Sequence, residues 1–103
     1  MTQPNISELE NRLEQLFNDI RATAIQLDQI DQSMESLEKD PMNVPLVEQL
    51  YAKEFSLCVD NSSIYEDIQR IVSRIKELDP SNFKARRLEK DTEKYLRVAI
   101  IDL

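Results

Sequence analysis

The feature that most constrains this chain is a three-four spacing of apolar residues that continues from residue 6 to residue 37 with one polar interruption. Such spacing keeps one side of a helix apolar, and its persistence over about five heptads is typical of a coiled coil or a long bundle helix. Asn5, followed three residues later by Glu8, forms a capping box at the start of the run. We therefore predict a first helix over residues 6–38, with core positions Ile6, Leu9, Leu13, Leu16, Ile20, Thr23, Leu27, Ile30, Met34 and Leu37.

A second run with the same spacing begins beyond two prolines. Pro41 cannot continue the first helix, because it lacks an N–H and its ring clashes with the preceding turn, whereas Pro45 suits the first turn of a new helix. The polar cluster at residues 60–63 favours a kink, but the heptad phase passes through it unchanged, so we expect a continuous helix over residues 45–78. Its core positions are Val47, Leu50, Glu54, Leu57, Asn61, Ile64, Ile68, Ile71, Ile75 and Leu78.

The two runs match each other as an antiparallel hairpin. If the chain folds back about Met42, the numbers of facing core residues sum to about 84, and every core position meets another. This register places Thr23, the polar position of the first helix, opposite Asn61. A single polar layer of this kind fixes the register of paired helices at some cost in stability.

A third helix completes the expected fold. Asp79 and Pro80 resemble an N-cap and first-turn pair, which predicts a helix over about residues 80–101. The second helix also carries apolar residues beside its core positions, so its buried face is wide enough for a bundle. We predict an all-α fold in a single domain, residues 1–103: a long antiparallel helical hairpin plus a shorter third helix, forming a three-helix bundle or coiled coil.

Composition argues against most catalytic classes. The chain contains no Gly and no His, which removes glycine-rich phosphate loops, histidine-based nucleophilic pairs and the common zinc ligand sets. We expect no enzyme activity, no cofactor, no metal site and no small-molecule substrate. The single cysteine, Cys58, cannot form an internal disulfide, and no apolar run is long enough to span a membrane. These features favour an intracellular protein of the cytoplasm or nucleus. We expect Cys58 to be a buried packing residue of the core.

Helix lengths point to an interaction module. The third helix is too short to cover the whole hairpin, so an apolar groove remains for another helical protein subunit. Charges flanking the first helix form no attractive pairs in a parallel dimer, which favours a hetero-oligomer over a homo-oligomer. We therefore expect a non-enzymatic scaffold or adaptor subunit of a larger complex. The candidate partner-binding residues are Leu13, Leu16, Phe17, Tyr51, Phe55, Tyr65, Ile100, Ile101 and Leu103.

An uneven charge distribution supports an alternative function. The net charge is −7, yet residues 80–103 hold 6 basic and 4 acidic side chains. A basic third helix can contact nucleic acid or an acidic protein surface. The simpler interpretation is that these cations are solvated or paired with the acidic hairpin, and we do not expect nucleic acid as a partner. The candidate basic contacts are Lys84, Arg86, Arg87 and Lys90.

Overall fold

A computed structural model describes residues 5–97, and it contains three α-helices joined by short connections. Helix α1 spans Ile6–Leu37, α2 spans Val44–Leu78 and α3 spans Phe83–Thr92. Two 3-10 turns, Pro41–Asn43 and Glu93–Tyr95, follow α1 and α3. Helices α1 and α2 form a long hairpin against which the shorter α3 packs, so the predicted all-α architecture is confirmed.

Side-chain caps define where α1 begins and where the chain turns. Asn5 Oδ1 accepts a hydrogen bond from the Glu8 N–H at 2.8 Å, which satisfies one free donor of the first turn. At the corner, Asp40 Oδ1 accepts from the Met42 N–H at 2.9 Å, and Asn43 Nδ2 donates to the Leu37 carbonyl at 3.1 Å. The tight corner between α1 and α2 is therefore held by local polar contacts.

Helix α2 is continuous through the polar cluster at residues 60–63. Asp60, Ser62 and Ser63 lie on its exposed or half-buried sides, while Asn61 is fully buried. The turn-forming tendency of these residues is therefore outweighed by packing of the apolar face before and after them. A break at this cluster was the alternative to a continuous helix, and α2 has no such break.

The tightest core lies at the open end of the hairpin, away from the Pro41–Asn43 corner. Here α1 and α2 contribute large aliphatic side chains, and α3 contributes Ala85, which is completely buried. A small residue lets the backbone of α3 approach the hairpin closely. The buried members of this cluster are Leu13, Leu16, Ile20, Ile68, Val72, Ile75 and Ala85.

Helix α3 is shorter than the sequence predicts at both ends. Its N-cap is Asn82, whose Oδ1 accepts from the Ala85 N–H at 2.8 Å, rather than Asp79. Asp79 instead ends α2 and holds the connection, accepting a hydrogen bond from the Ser81 hydroxyl at 3.1 Å. The helix ends at Thr92, so the prediction of a helix continuing past residue 92 is wrong for the described residues. Residues 98–101 of that prediction lie outside the described part of the chain.

The early end of α3 has a physical cause in the buried Asn61. Its Nδ2 donates to the Tyr95 carbonyl at 2.9 Å, and its Oδ1 accepts from the Arg97 N–H at 2.8 Å. A helix that continued through this segment would use these same main-chain groups in its own hydrogen bonds. Because a buried amide must be satisfied, Asn61 holds this segment in a non-helical conformation.

The lengths of the helices leave the hairpin unevenly covered. At 1.5 Å per residue, α1 and α2 are about 48 and about 53 Å long, whereas α3 is about 15 Å long. The molecule measures 57 × 25 × 25 Å. Helix α3 packs beside the open end, and the half of the hairpin next to the corner, called here the distal half, extends beyond it.

Candidate interaction surface

Two of the predicted partner-binding residues belong to the core instead. Leu13 is completely buried and Leu16 is almost so, and both pack in the cluster that contains Ala85 of α3. The prediction that they form an exposed contact surface is therefore wrong. Apolar spacing identified their buried face correctly, but it could not show that α3 of the same chain covers it.

Phe17 and Tyr65 are half-buried at the edge of the same core. The ring of Phe17 meets that of Tyr95 edge to face, with ring centroids 5.7 Å apart. Tyr65 packs against the open-end cluster. Phe17 therefore helps to hold the C-terminal segment, and Tyr65 adds to the open-end core. Ile100, Ile101 and Leu103, also predicted as contacts, lie outside the described residues.

The distal half carries a row of exposed apolar side chains along α2. Val44, Tyr51, Phe55 and Val59 each keep about half of their surface exposed. Their spacings of seven, four and four residues place them on one side of the helix, and we call them the α2 stripe. Tyr51 and Phe55 were predicted as contacts. Val44 was missed because it precedes the predicted start of the second helix at residue 45, and Val59 because it falls outside the core and flanking heptad positions.

The α2 stripe lies beside the face that α3 covers further along the same helix. Tyr65 and Val72 pack near α3, whereas Tyr51, two heptads before Tyr65 in the same line, is half exposed. Between them, Cys58 is buried. Large exposed apolar side chains also occur at the corner, where Met42 is 84% exposed. Exposed apolar side chains grouped on one side of a helix are a common mark of a protein interaction site, and the exposed Glu48 lies within this row.

Carboxylates border the α2 stripe. The Tyr51 hydroxyl donates to Glu38 Oε1 at 2.9 Å, and this hydrogen bond raises the pKa of Tyr51. Burial raises the pKa of the Cys58 thiol, and the charges of Glu54 and Asp31 raise it further. Carboxylates of both helices, Asp31 and the C-cap residue Glu38 of α1 and Glu54 of α2, thus act on side chains in and next to the stripe.

Glu54 and Asp31 form an unusual pair within this border. Glu54 occupies a core heptad position and is half-buried, and its Oε2 atom is buried with no hydrogen-bond partner among the described residues. A hydrogen bond with Asp31, burial and the charge of Asp31 raise the pKa of Glu54 to about 6. Two carboxyl groups can share a hydrogen bond only when one is protonated, so the pair is repulsive when both are ionised.

Thr23 and Asn61, the predicted polar layer, are in contact. Asn61 Nδ2 donates to Thr23 Oγ1 at 2.9 Å, and Thr23 Oγ1 donates to the Ile20 carbonyl at 2.7 Å. Together with its bonds to Tyr95 and Arg97, Asn61 connects α1, α2 and the C-terminal segment. That this layer fixes the register of the hairpin stays a prediction.

Basic side chains of the C-terminal region lie close to acidic partners in the same chain. Lys84 Nζ is 2.7 Å from Glu14 Oε1, and the Arg97 guanidinium contacts both carboxylate oxygens of Asp28 at 3.3 Å. Arg87 lies 3.9 Å from Asp91. Arg86 donates to the Pro80 carbonyl at 3.0 Å. Lys84 and Arg97 thus help dock the C-terminal region on the hairpin, whereas Arg86 and Arg87 make only local contacts and stay exposed. None of these contacts favours the nucleic-acid alternative. Lys90, the remaining candidate, is exposed.

Comparison of the chain with protein-family models, curated proteins and solved structures finds no match. None of the helices within residues 5–97 combines the length and apolar character that a membrane span requires. Over the same residues, no group of three or more acidic or cysteine side chains is arranged to hold a metal ion.

Proposed function

We propose that this protein is a non-enzymatic helical scaffold or adaptor subunit that joins a larger intracellular hetero-oligomeric complex through bundle contacts. The observation that supports this proposal is the α2 stripe. It exposes aromatic and aliphatic side chains on a rigid helix, in the half of the hairpin that α3 does not cover. Aromatic residues on a pre-formed surface are efficient anchors, because little conformational freedom is lost when they bind.

The division of the molecule into two halves supports the same function. At the open end, three helices bury a shared core, and this part provides the stability that a free-standing subunit needs. At the distal half, two helices present apolar side chains beside polar ones. A partner helix there would extend the bundle by the same type of packing that α3 uses.

The test measures the size of the assembly that contains the full chain. The tagged protein, expressed at its natural level, is isolated and analysed by size-exclusion chromatography with light scattering. We expect a complex of defined composition, larger than the 12.1 kDa chain. Replacing Tyr51 and Phe55 with Ser should release a monomer whose thermal unfolding is little changed, because both side chains are already half exposed.

The matched control is Phe83→Ser, which removes another exposed phenylalanine at the open end, where 76% of its surface is accessible. This variant should remain in the complex. Recovery of the unaltered protein as a monomer would contradict the proposal. So would a complex that survives the loss of Tyr51 and Phe55 but dissociates when Phe83 is changed.

A further inference from the structure

We infer that the α2 stripe binds an amphipathic helix of another protein whose apolar face is bordered by lysine or arginine residues. This inference rests on the proposed function and specifies the chemistry of the partner. Three observations support it: the shape of the stripe, the acidic border around it, and the packing of the basic helix α3 on the same hairpin.

The shape of the surface favours a helix as the occupant. The four side chains of the α2 stripe span about 22 Å from Val44 to Val59, at 1.5 Å per residue. They are spaced on one side of a rigid helix, so a second helix can pack its own apolar residues between them along that length. About two heptads of a partner helix would contact the whole stripe.

The charge around the stripe favours a basic occupant. Residues 28–60 contain eight carboxylates and two lysines. Glu38 is hydrogen-bonded to Tyr51 within the stripe, and Glu48 is exposed on the same helix. The buried Oε2 of Glu54 lacks a donor among the described residues, and a cationic side chain at the edge of the stripe would supply one. A second copy of this acidic surface would be repelled.

Helix α3 gives an internal precedent for this recognition. It presents a narrow face built on Ala85 and Leu88 to the hairpin, while Lys84 reaches Glu14 across the contact. Five residues beyond the end of α3, Arg97 pairs with Asp28. The open end of the hairpin thus accepts a short, basic, amphipathic helix. The distal half presents an adjoining surface of α2 with the same sign of charge, and complementary charge selects partners more strongly than it tightens binding.

A pair of synthetic peptides tests the inference with the full chain. Both are helical, about three heptads long, with leucine at the core positions; one has lysine at the flanking positions and its twin has glutamate. Binding of each labelled peptide is measured by fluorescence anisotropy. We expect the lysine peptide to bind at least about tenfold more tightly than its twin at low salt, with the difference shrinking as salt is raised.

Variants of the protein show whether the peptide occupies the stripe. Phe55→Ser and Val59→Ser should each weaken binding of the lysine peptide, whereas Phe83→Ser should leave it unchanged. Binding that is unaffected by the stripe variants would reflect general attraction to an acidic protein and would overturn the inference. Failure of both peptides to bind would overturn it as well.

The remaining outcomes separate this inference from the proposed function. Equal binding of both peptides, lost in Phe55→Ser, would refute the charge preference and leave the docking surface intact. A dimer of the full chain that dissociates in Phe55→Ser would assign the stripe to a second copy. Tighter peptide binding after Ile100→Asp and Ile101→Asp would assign it to the chain's own C-terminal segment. Either of the last two results would also overturn the inference.

Discussion

At the scale of single residues, the side chain of Asn61 joins separate parts of the chain. Its side chain is fully buried, and its amide makes hydrogen bonds to Thr23, Tyr95 and Arg97. Three parts of the chain that are distant in sequence therefore meet at one amide group. A buried amide that is fully hydrogen-bonded specifies one arrangement, because any shift leaves polar groups without partners.

Asn61→Ala should lower the free energy of unfolding by about 2–4 kcal/mol, since it leaves the Tyr95 carbonyl and the Arg97 N–H without their partner. Urea unfolding monitored by circular dichroism measures this change. Asn11→Ala, at an exposed position of α1, is the control and should have little effect. A loss below about 0.5 kcal/mol in Asn61→Ala would mean that the buried amide contributes little to stability.

At the scale of the elements, α1 and α2 were the most predictable parts of the fold. Their three-four spacing and the prolines of the corner indicate the hairpin without any tertiary information. Pairing the polar positions of the two helices also predicts the contact between Thr23 and Asn61. The end of α3 could not be predicted in this way. It depends on hydrogen bonds from Asn61 to residues 34 and 36 positions later, which local sequence does not reveal.

The candidate interaction surface was harder to predict than the helices, because it too depends on tertiary contacts. Heptad spacing shows that Leu13 and Leu16 are apolar and share a face, but only the position of α3 shows that they are covered. Val44 precedes the predicted second helix, and Val59 falls outside the core and flanking heptad positions. Their importance depends on what the rest of the chain leaves uncovered, which is a property of tertiary structure.

The contact between α1 and α2 at Asp31 and Glu54 predicts a pH dependence. The pKa of Glu54 rises from 4.5 to about 6 on folding, so this group stabilises the fold below about pH 4.5 and loses that contribution as the pH rises through 6. Glu54→Gln removes the repulsion with Asp31. Because the pair lies near solvent, we expect a gain of about 1 kcal/mol at pH 8 and almost none at pH 4.5.

Thermal or urea unfolding of both proteins at the two pH values measures this difference. Glu48→Gln is the matched control, because it removes an exposed carboxylate from the same helix. Its effect should be small at either pH. Equal stability of Glu54→Gln and the unaltered protein at pH 8 would show that the two carboxyl groups do not repel each other in the folded chain.

At the scale of the whole molecule, the proposed function gives the two ends of the hairpin different roles. The open end buries a three-helix core that holds the chain together. The distal half presents the α2 stripe on a surface bordered by carboxylates. The proposed function therefore predicts that substitutions in the stripe change assembly without unfolding the protein.

The most direct test of whether the α2 stripe binds another protein is site-specific photo-crosslinking in cells that express the full chain. A benzophenone side chain is placed at residue 55 in one protein and at residue 83 in another, since both positions are exposed phenylalanines. We predict one discrete crosslink to another protein from position 55 and none of comparable yield from position 83. No crosslink from position 55, or the same products from both positions, would contradict the account.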